Sequence, residues 1–119
     1  MLQIVPQMTI FLATSPIDFR KGMDSLISYC KSLGSDPFSG TLFIFRNRSG
    51  TTLKMLVYDQ VGFYLVVRRF SEGRLKWWPS SNSTLTPLAA RELYILLYNG
   101  IPYKAQFAKD WRTFPSSRP

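Results

Sequence analysis

Residues 41–79 constrain the fold more than any other part of the chain. Four short segments rich in strand formers follow one another there with only tight links between them. TLFIFRNR (41–48) passes through Ser49-Gly50 to LKMLVYD (53–59), and a turn at 60–62 leads to FYLVVRRF (63–70). SEG (71–73) then leads to RLKWWP (74–79). Links this short join neighbouring antiparallel strands and leave no room for crossover helices, so the spacing predicts a β-meander. Upstream, MTIFLAT (8–14) is a further apolar strand candidate.

Two helices flank the meander. Ser15-Pro16 has the form of an N-cap followed by Pro at the first helical position, with Asp18 placed three residues after the Ser. Phe19, Met23, Leu26, Ile27 and Cys30 follow at helical spacing, Gly22 lies at the edge of that stripe, and Gly34 suits the stop. Thr86-Pro87 repeats the cap-then-Pro signal ahead of LAARELYILLYN (88–99), and Gly100 closes it. The expected architecture is α+β: a mainly antiparallel β-meander sheet with two helices packed on it, both on one face. Residues 1–103 form a single domain in this reading, and residues 104–119, which mix aromatics with Lys, Arg and Ser, a basic, partly ordered C-terminal tail.

Charge sets the class of partner. Fifteen Lys and Arg oppose seven Asp and Glu in 119 residues, with no His, for a formal net charge of +8. Such an excess in a small domain points to a polyanion, nucleic acid before membrane surface. The N-terminal apolar stretch lacks a basic region before it and falls short of the roughly 20 residues that cross a bilayer. It therefore reads as a strand. One cysteine, Cys30, allows no disulfide framework, and without His the common zinc sites are closed, so no metal or cofactor is expected. These features fit a cytoplasmic, nucleoid-associated protein.

Enzymatic chemistry finds little support. Asp18, Asp24, Asp36, Asp59, Glu72, Glu92 and Asp110 are scattered, whereas metal-assisted phosphoryl transfer wants convergent carboxylates. Asp59, at a strand end, is the one acid a nuclease reading could use; a turn former is the plainer role.

The meander itself carries Arg46, Arg48, Lys54, Arg68, Arg69, Arg74 and Lys76, opposed only by Asp59 and Glu72. Arg46 and Arg48 share one strand face by parity. A two-residue turn at Glu72-Gly73 would set Arg69 across from Lys76, a like-charge pair that a phosphate would relieve, and Arg68 across from Trp77, where a cation–π contact could form. Cations interleaved with Tyr58, Tyr64, Trp77 and Trp78 suit phosphates and stacked bases. The same aromatics, with Phe43 and Phe45, also suit a core, and strand cations also discourage edge aggregation. Arg20 and Lys21, early in the first predicted helix, sit where the dipole is already positive. Asp24 could offset them as surface pairs, or a phosphate could sit there. The candidate DNA contacts are thus Arg20, Lys21, Arg46, Arg48, Lys54, Arg68, Arg69 and Lys76, with Tyr64 and Trp77 as aromatic contacts. Asn47 is available for base readout, and RNA remains an alternative to DNA.

Three blocks in order carry a resemblance: IFLATSPIDFRKGMDSL, DPFSGTLFIFRNRSGTTLKMLVYDQVGFYLVVRRFSEGRLKWW and LTPLAARELYILLYNGI. The chain resembles the small accessory protein, often called TnpB, encoded by the second open reading frame of the IS sixty-six group of bacterial insertion sequences. Tyr64 stands where a Trp is common in that family, and AARE replaces a Gln-containing segment. The resemblance implies a protein that accompanies a separate, larger transposase and is needed for transposition, with no family catalytic residues to carry over. The expectation is a non-catalytic DNA-binding accessory factor acting on element ends or non-specific duplex. The alternatives are an interaction module docking on the transposase and, behind it, a metal-dependent nuclease.

Overall fold

A computed structural model describes residues 7–20 and 22–100. In chain order the elements are β1 (Ile10–Ala13), α1 (Met23–Ser32), β2 (Leu42–Arg46), β3 (Thr52–Tyr58), β4 (Phe63–Arg69), β5 (Leu85–Pro87) and α2 (Ala90–Leu97). They build an α+β fold around one five-stranded sheet in the order β4-β3-β2-β1-β5. β2, β3 and β4 form the expected antiparallel meander, with Phe43 opposite Leu56 and Leu53 opposite Arg68. β1 runs parallel to β2, Ile10 beside Leu42, and α1 is the crossover between them. β5 closes the sheet antiparallel to β1.

The helices lie on opposite faces of the sheet, not on one. Ile10, Leu12, Leu42, Ile44, Leu53, Met55 and Val57 pack with Leu93 and Leu96 of α2. Their alternates Ala13, Phe43, Phe45 and Leu56 pack with Leu26 and Cys30 of α1. Every residue from Leu42 to Phe45 is consequently buried, and a strand covered on both faces is apolar throughout instead of alternating. Burial among these side chains pushes the Cys30 thiol up to about 11, which suits a packing role.

Three boundaries differ from the sequence reading. First, α1 begins at Met23 with Gly22 at its N-cap, not at Ser15-Pro16. The Ile17 N–H donates to the Arg46 carbonyl, and Asp18 accepts the Arg20 N–H, so this stretch extends the sheet end and then turns locally. Second, residues 74–79 form no strand. Leu75 N–H donates to Gly50 O, Lys76 N–H goes to the Asn99 side chain, and Trp77 and Trp78 pack on the α2-side core. The segment crosses the end of the sheet to reach the open side of β1. The Arg69–Lys76 and Arg68–Trp77 juxtapositions therefore do not occur; Arg69 lies opposite Thr52. Third, Thr86-Pro87 belongs to β5, and α2 starts three residues beyond Pro87. There the Glu92 carboxylate accepts the Ala89 N–H in place of the expected threonine cap.

Gly50 suits the 47–51 turn through its backbone: its φ is +74°, which L side chains rarely adopt, whereas a Cβ there would meet Leu75 and Arg74 only at ordinary contact distance, 3.8–3.9 Å. Asn47 fixes the same turn, its Oδ1 accepting the N–H groups of Thr51 and Thr52. Residues 104–119, the expected tail, lie outside the described residues.

Candidate nucleic-acid interface

Strand directions decide where the cations go. The C-terminal ends of β1, β2 and β4 and the N-terminal ends of β3 and β5 share one end of the sheet. Three connections emerge there: residues 14–22, the 47–51 turn, and residues 70–84. They bring together Arg20, Arg46, Arg48, Arg68, Arg69, Arg74 and Lys76, with Lys54 reaching in from β3. Among the described cations only Lys31 and Arg91 lie elsewhere. At the far end are the β3–β4 turn, the link from α1 to β2 and the start of α2, carrying the acids Asp59, Asp36 and Glu92.

The cations divide by what already holds them. Arg46 is half-buried, its guanidinium 5.6 Å from the Trp78 ring, and it donates to the carbonyls of Asn47 and Arg48. The Arg46 Nε is buried without a partner. Trp78 is itself fixed by donating its Nε1–H to Thr14 O at 3.1 Å. Lys54 donates to Phe19 O and lies 4.8 Å over that ring, tying the 14–22 connection to the sheet. Arg68 donates to Leu97 O at 3.1 Å, where a cation complements the carbonyl end of α2, and stacks 5.4 Å from the Tyr98 ring. These three act as much on the fold as on any ligand.

Arg48, Arg69, Arg74 and Lys76 have exposed side chains. Arg20 is exposed too, but its guanidinium forks onto Asp18, with contacts of 2.8–3.1 Å. That hydrogen bonding, then the charge of Asp18, raises the Arg20 pKa. A pair this open to water contributes little stability. Asp18, and not Asp24, is thus the acid that holds Arg20, and Lys21 lies outside the described residues. Arg20 and Arg48 border an open cleft of about 640 Å³ floored by Phe19 and Asn47. A smaller one of about 250 Å³ sits between Arg46, Arg74 and Lys76 with Trp77 and Trp78 as its wall.

The two predicted aromatic contacts part company. Trp77 joins the basic end. Tyr64 is 43% exposed but lies five residues before Arg69 along β4, about 16 Å away at roughly 3.3 Å per residue. Arg46 and Arg48 do not share a strand face, because β2 ends at Arg46 and Arg48 sits in the turn. Arg74 and Asn99 were not singled out as contacts. The structure puts Arg74 in the crossing segment, its carbonyl accepting from the Asn99 side chain at 2.9 Å. The signal available for Arg74 was its membership of the seven-residue basic group.

Asp59 is engaged in its turn. Its Oδ1 accepts the N–H groups of Val61 and Gly62, and those bonds, Gly62 first, lower its pKa. Among the described residues no group of three or more His, Cys, Asp or Glu could hold a metal ion, and no helix is long and apolar enough to cross a membrane.

Fold and charge together define a small α+β protein with its cations gathered at one sheet end. The family profile described as IS66 Orf2-like protein matches residues 8–107, and the chain belongs to that family of insertion-sequence-associated proteins. Two relatives come from Sinorhizobium fredii (strain NBRC 101917 / NGR234). Uncharacterized protein y4hO is 35% identical over 104 residues, covering 87% of this chain and 82% of that protein. Uncharacterized protein y4jC is 32% identical over 77 residues, covering 64% and 66% respectively. No solved structure matches the chain.

Proposed function

We propose that this chain is a non-catalytic DNA-binding accessory factor in transposition of its insertion sequence, holding the phosphate backbone at the basic end of its sheet. The observation that carries the reading is the concentration of cations. Three separate connections deliver them to one end, where Asp18, Asp24 and Glu72 are too few to balance them; Asp36, Asp59 and Glu92 fall at the other end. Arg48, Arg69, Arg74 and Lys76 are exposed and, with Arg20, would neutralise phosphates; Arg46, Lys54 and Arg68 hold the surface in shape.

Salt dependence of binding tests it. About five engaged phosphates give a slope of log affinity against log salt near −4.5 on duplex DNA. A titration on element-end DNA, random duplex and single strand measures this slope and any preference among them. A slope near zero overturns the reading. It would favour docking on the transposase instead, which co-purification from nuclease-treated extract would then display.

A further inference from the structure

The two edges of the sheet are unlike. β5 offers three residues, and Pro87 among them has no N–H to donate, so that edge is blunted. β4 offers seven, paired to β3 in unbroken register from Phe63 to Arg69, with neither proline nor bulge. Among the described residues no strand lies on its outer side. The bonds Asp59 N–H to Gly62 O and Phe70 N–H to Thr51 O phase the ladder. Gly62, Tyr64, Val66, Arg68 and Phe70 bond inward, and alternation turns the N–H and C=O groups of Phe63, Leu65, Val67 and Arg69 outward. Exposed large apolar side chains gather along this strand. Tyr64 and Val67 are on it, Val61 is in the turn before it, and Tyr98 stacks against its Arg68.

We propose that β4 is a homodimer interface, at which a second copy adds its own β4 antiparallel about a two-fold axis through Val66. In that register Phe63 pairs with the partner's Arg69, and Leu65 with the partner's Val67, as hydrogen-bonded pairs. Every outward N–H and C=O of the strand is then satisfied. Sliding by two residues either way leaves Phe63 or Arg69 of each copy without a partner inside the strand. Cation–π pairing favours the same register: Arg68 meets the partner's Tyr64 and Arg69 the partner's Phe63, whereas either slip sets both cations opposite residues without rings. Antiparallel addition also points the two basic ends in opposite directions, which limits repulsion between chains of net charge +8. Tyr64, stranded far from the cations of its own chain, would stand beside those of the partner.

The test uses purified, nuclease-treated full chain in about 0.5 M salt, where surface charge is screened and no DNA bridges the copies. Sedimentation velocity over a concentration series is expected to report a monomer–dimer equilibrium. Val66 is a non-hydrogen-bonded pair with itself, with Cα atoms about 4.5 Å apart, inside disulfide range. Oxidised Val66→Cys should therefore cross-link as a dimer, while Val67→Cys, offset from its own copy, should not; Cys30 is buried and does not interfere. Tyr64→Arg, which sets like charges across the axis, should weaken the dimer tenfold or more, and Tyr64→Glu should leave it within threefold. A chain that stays monomeric with no Val66→Cys cross-link overturns the proposal, whether its edge amides exchange freely or are protected by another segment. So does a dimer that ignores Tyr64→Arg. Neither outcome touches DNA binding, which the salt titration judges separately.

Discussion

Replacing Arg48, Arg69 and Lys76 together with alanine is expected to lower duplex affinity on the order of 10²–10³-fold at about 0.1 M salt. The slope of log affinity against log salt should shrink by about 2.7. The size follows from counterion release, about 0.9 of a salt exponent for each phosphate no longer neutralised. Arg48 comes from the 47–51 turn, Arg69 from the end of β4 and Lys76 from the crossing segment, so the variant removes charge across the surface without removing a connection. Their side chains are exposed, so thermal stability should hardly move. Lys31→Ala with Arg91→Ala is the control: it removes charge away from the basic end and should leave affinity within about threefold. Equal losses in the two variants would mean that net charge alone matters, and the placement argument would fall.

The largest stability effect should come from Phe45→Ala, at roughly 3–5 kcal/mol. Phe45 is fully buried on the α1 face, its ring 6.2 Å from that of Tyr29 on α1. Its strand is central, with β1 on one side and β3 on the other, so the cavity has rigid walls and cannot collapse. Against a typical total of about 5–15 kcal/mol the loss is severe, and the melting temperature should fall by more than about 10 °C. Thermal and urea unfolding measure it. Tyr64→Ala, at the exposed edge, serves as the contrast and should cost under about 1 kcal/mol in the monomer.

The meander was legible because turn spacing is local information: Ser49-Gly50 and residues 60–62 each fix a hairpin within a few residues. What was not legible depends on distant partners. Ser15-Pro16 and Thr86-Pro87 both have helix-start chemistry. In each case a sheet bond prevails, Ile17 with Arg46 in the first and Thr86 with Leu12 in the second. The burial of residues 42–45 on both sides did leave a trace, since LFIF is apolar without alternation, and that pattern argues for helices on both faces. For the interface, composition pointed to a polyanion, but it could not separate Arg48, held out to solvent, from Arg46, stacked on Trp78. That difference is made by a tryptophan thirty-odd residues later, arriving on a segment whose path the sequence did not reveal.

The position of β5 has a consequence for how the molecule assembles. The β2–β3–β4 unit joins neighbours in sequence and loses little chain entropy on closing, whereas Leu12 must wait for Thr86. Contacts between such remote residues are bought late, after most of the chain is already compact. Docking of β5 and α2 should therefore follow the folding transition state, with Leu93→Ala accelerating unfolding and leaving the refolding rate nearly unchanged. Since the crossing segment with Arg74 and Lys76 leads into β5, the basic end would be the last part of the protein to acquire its final shape.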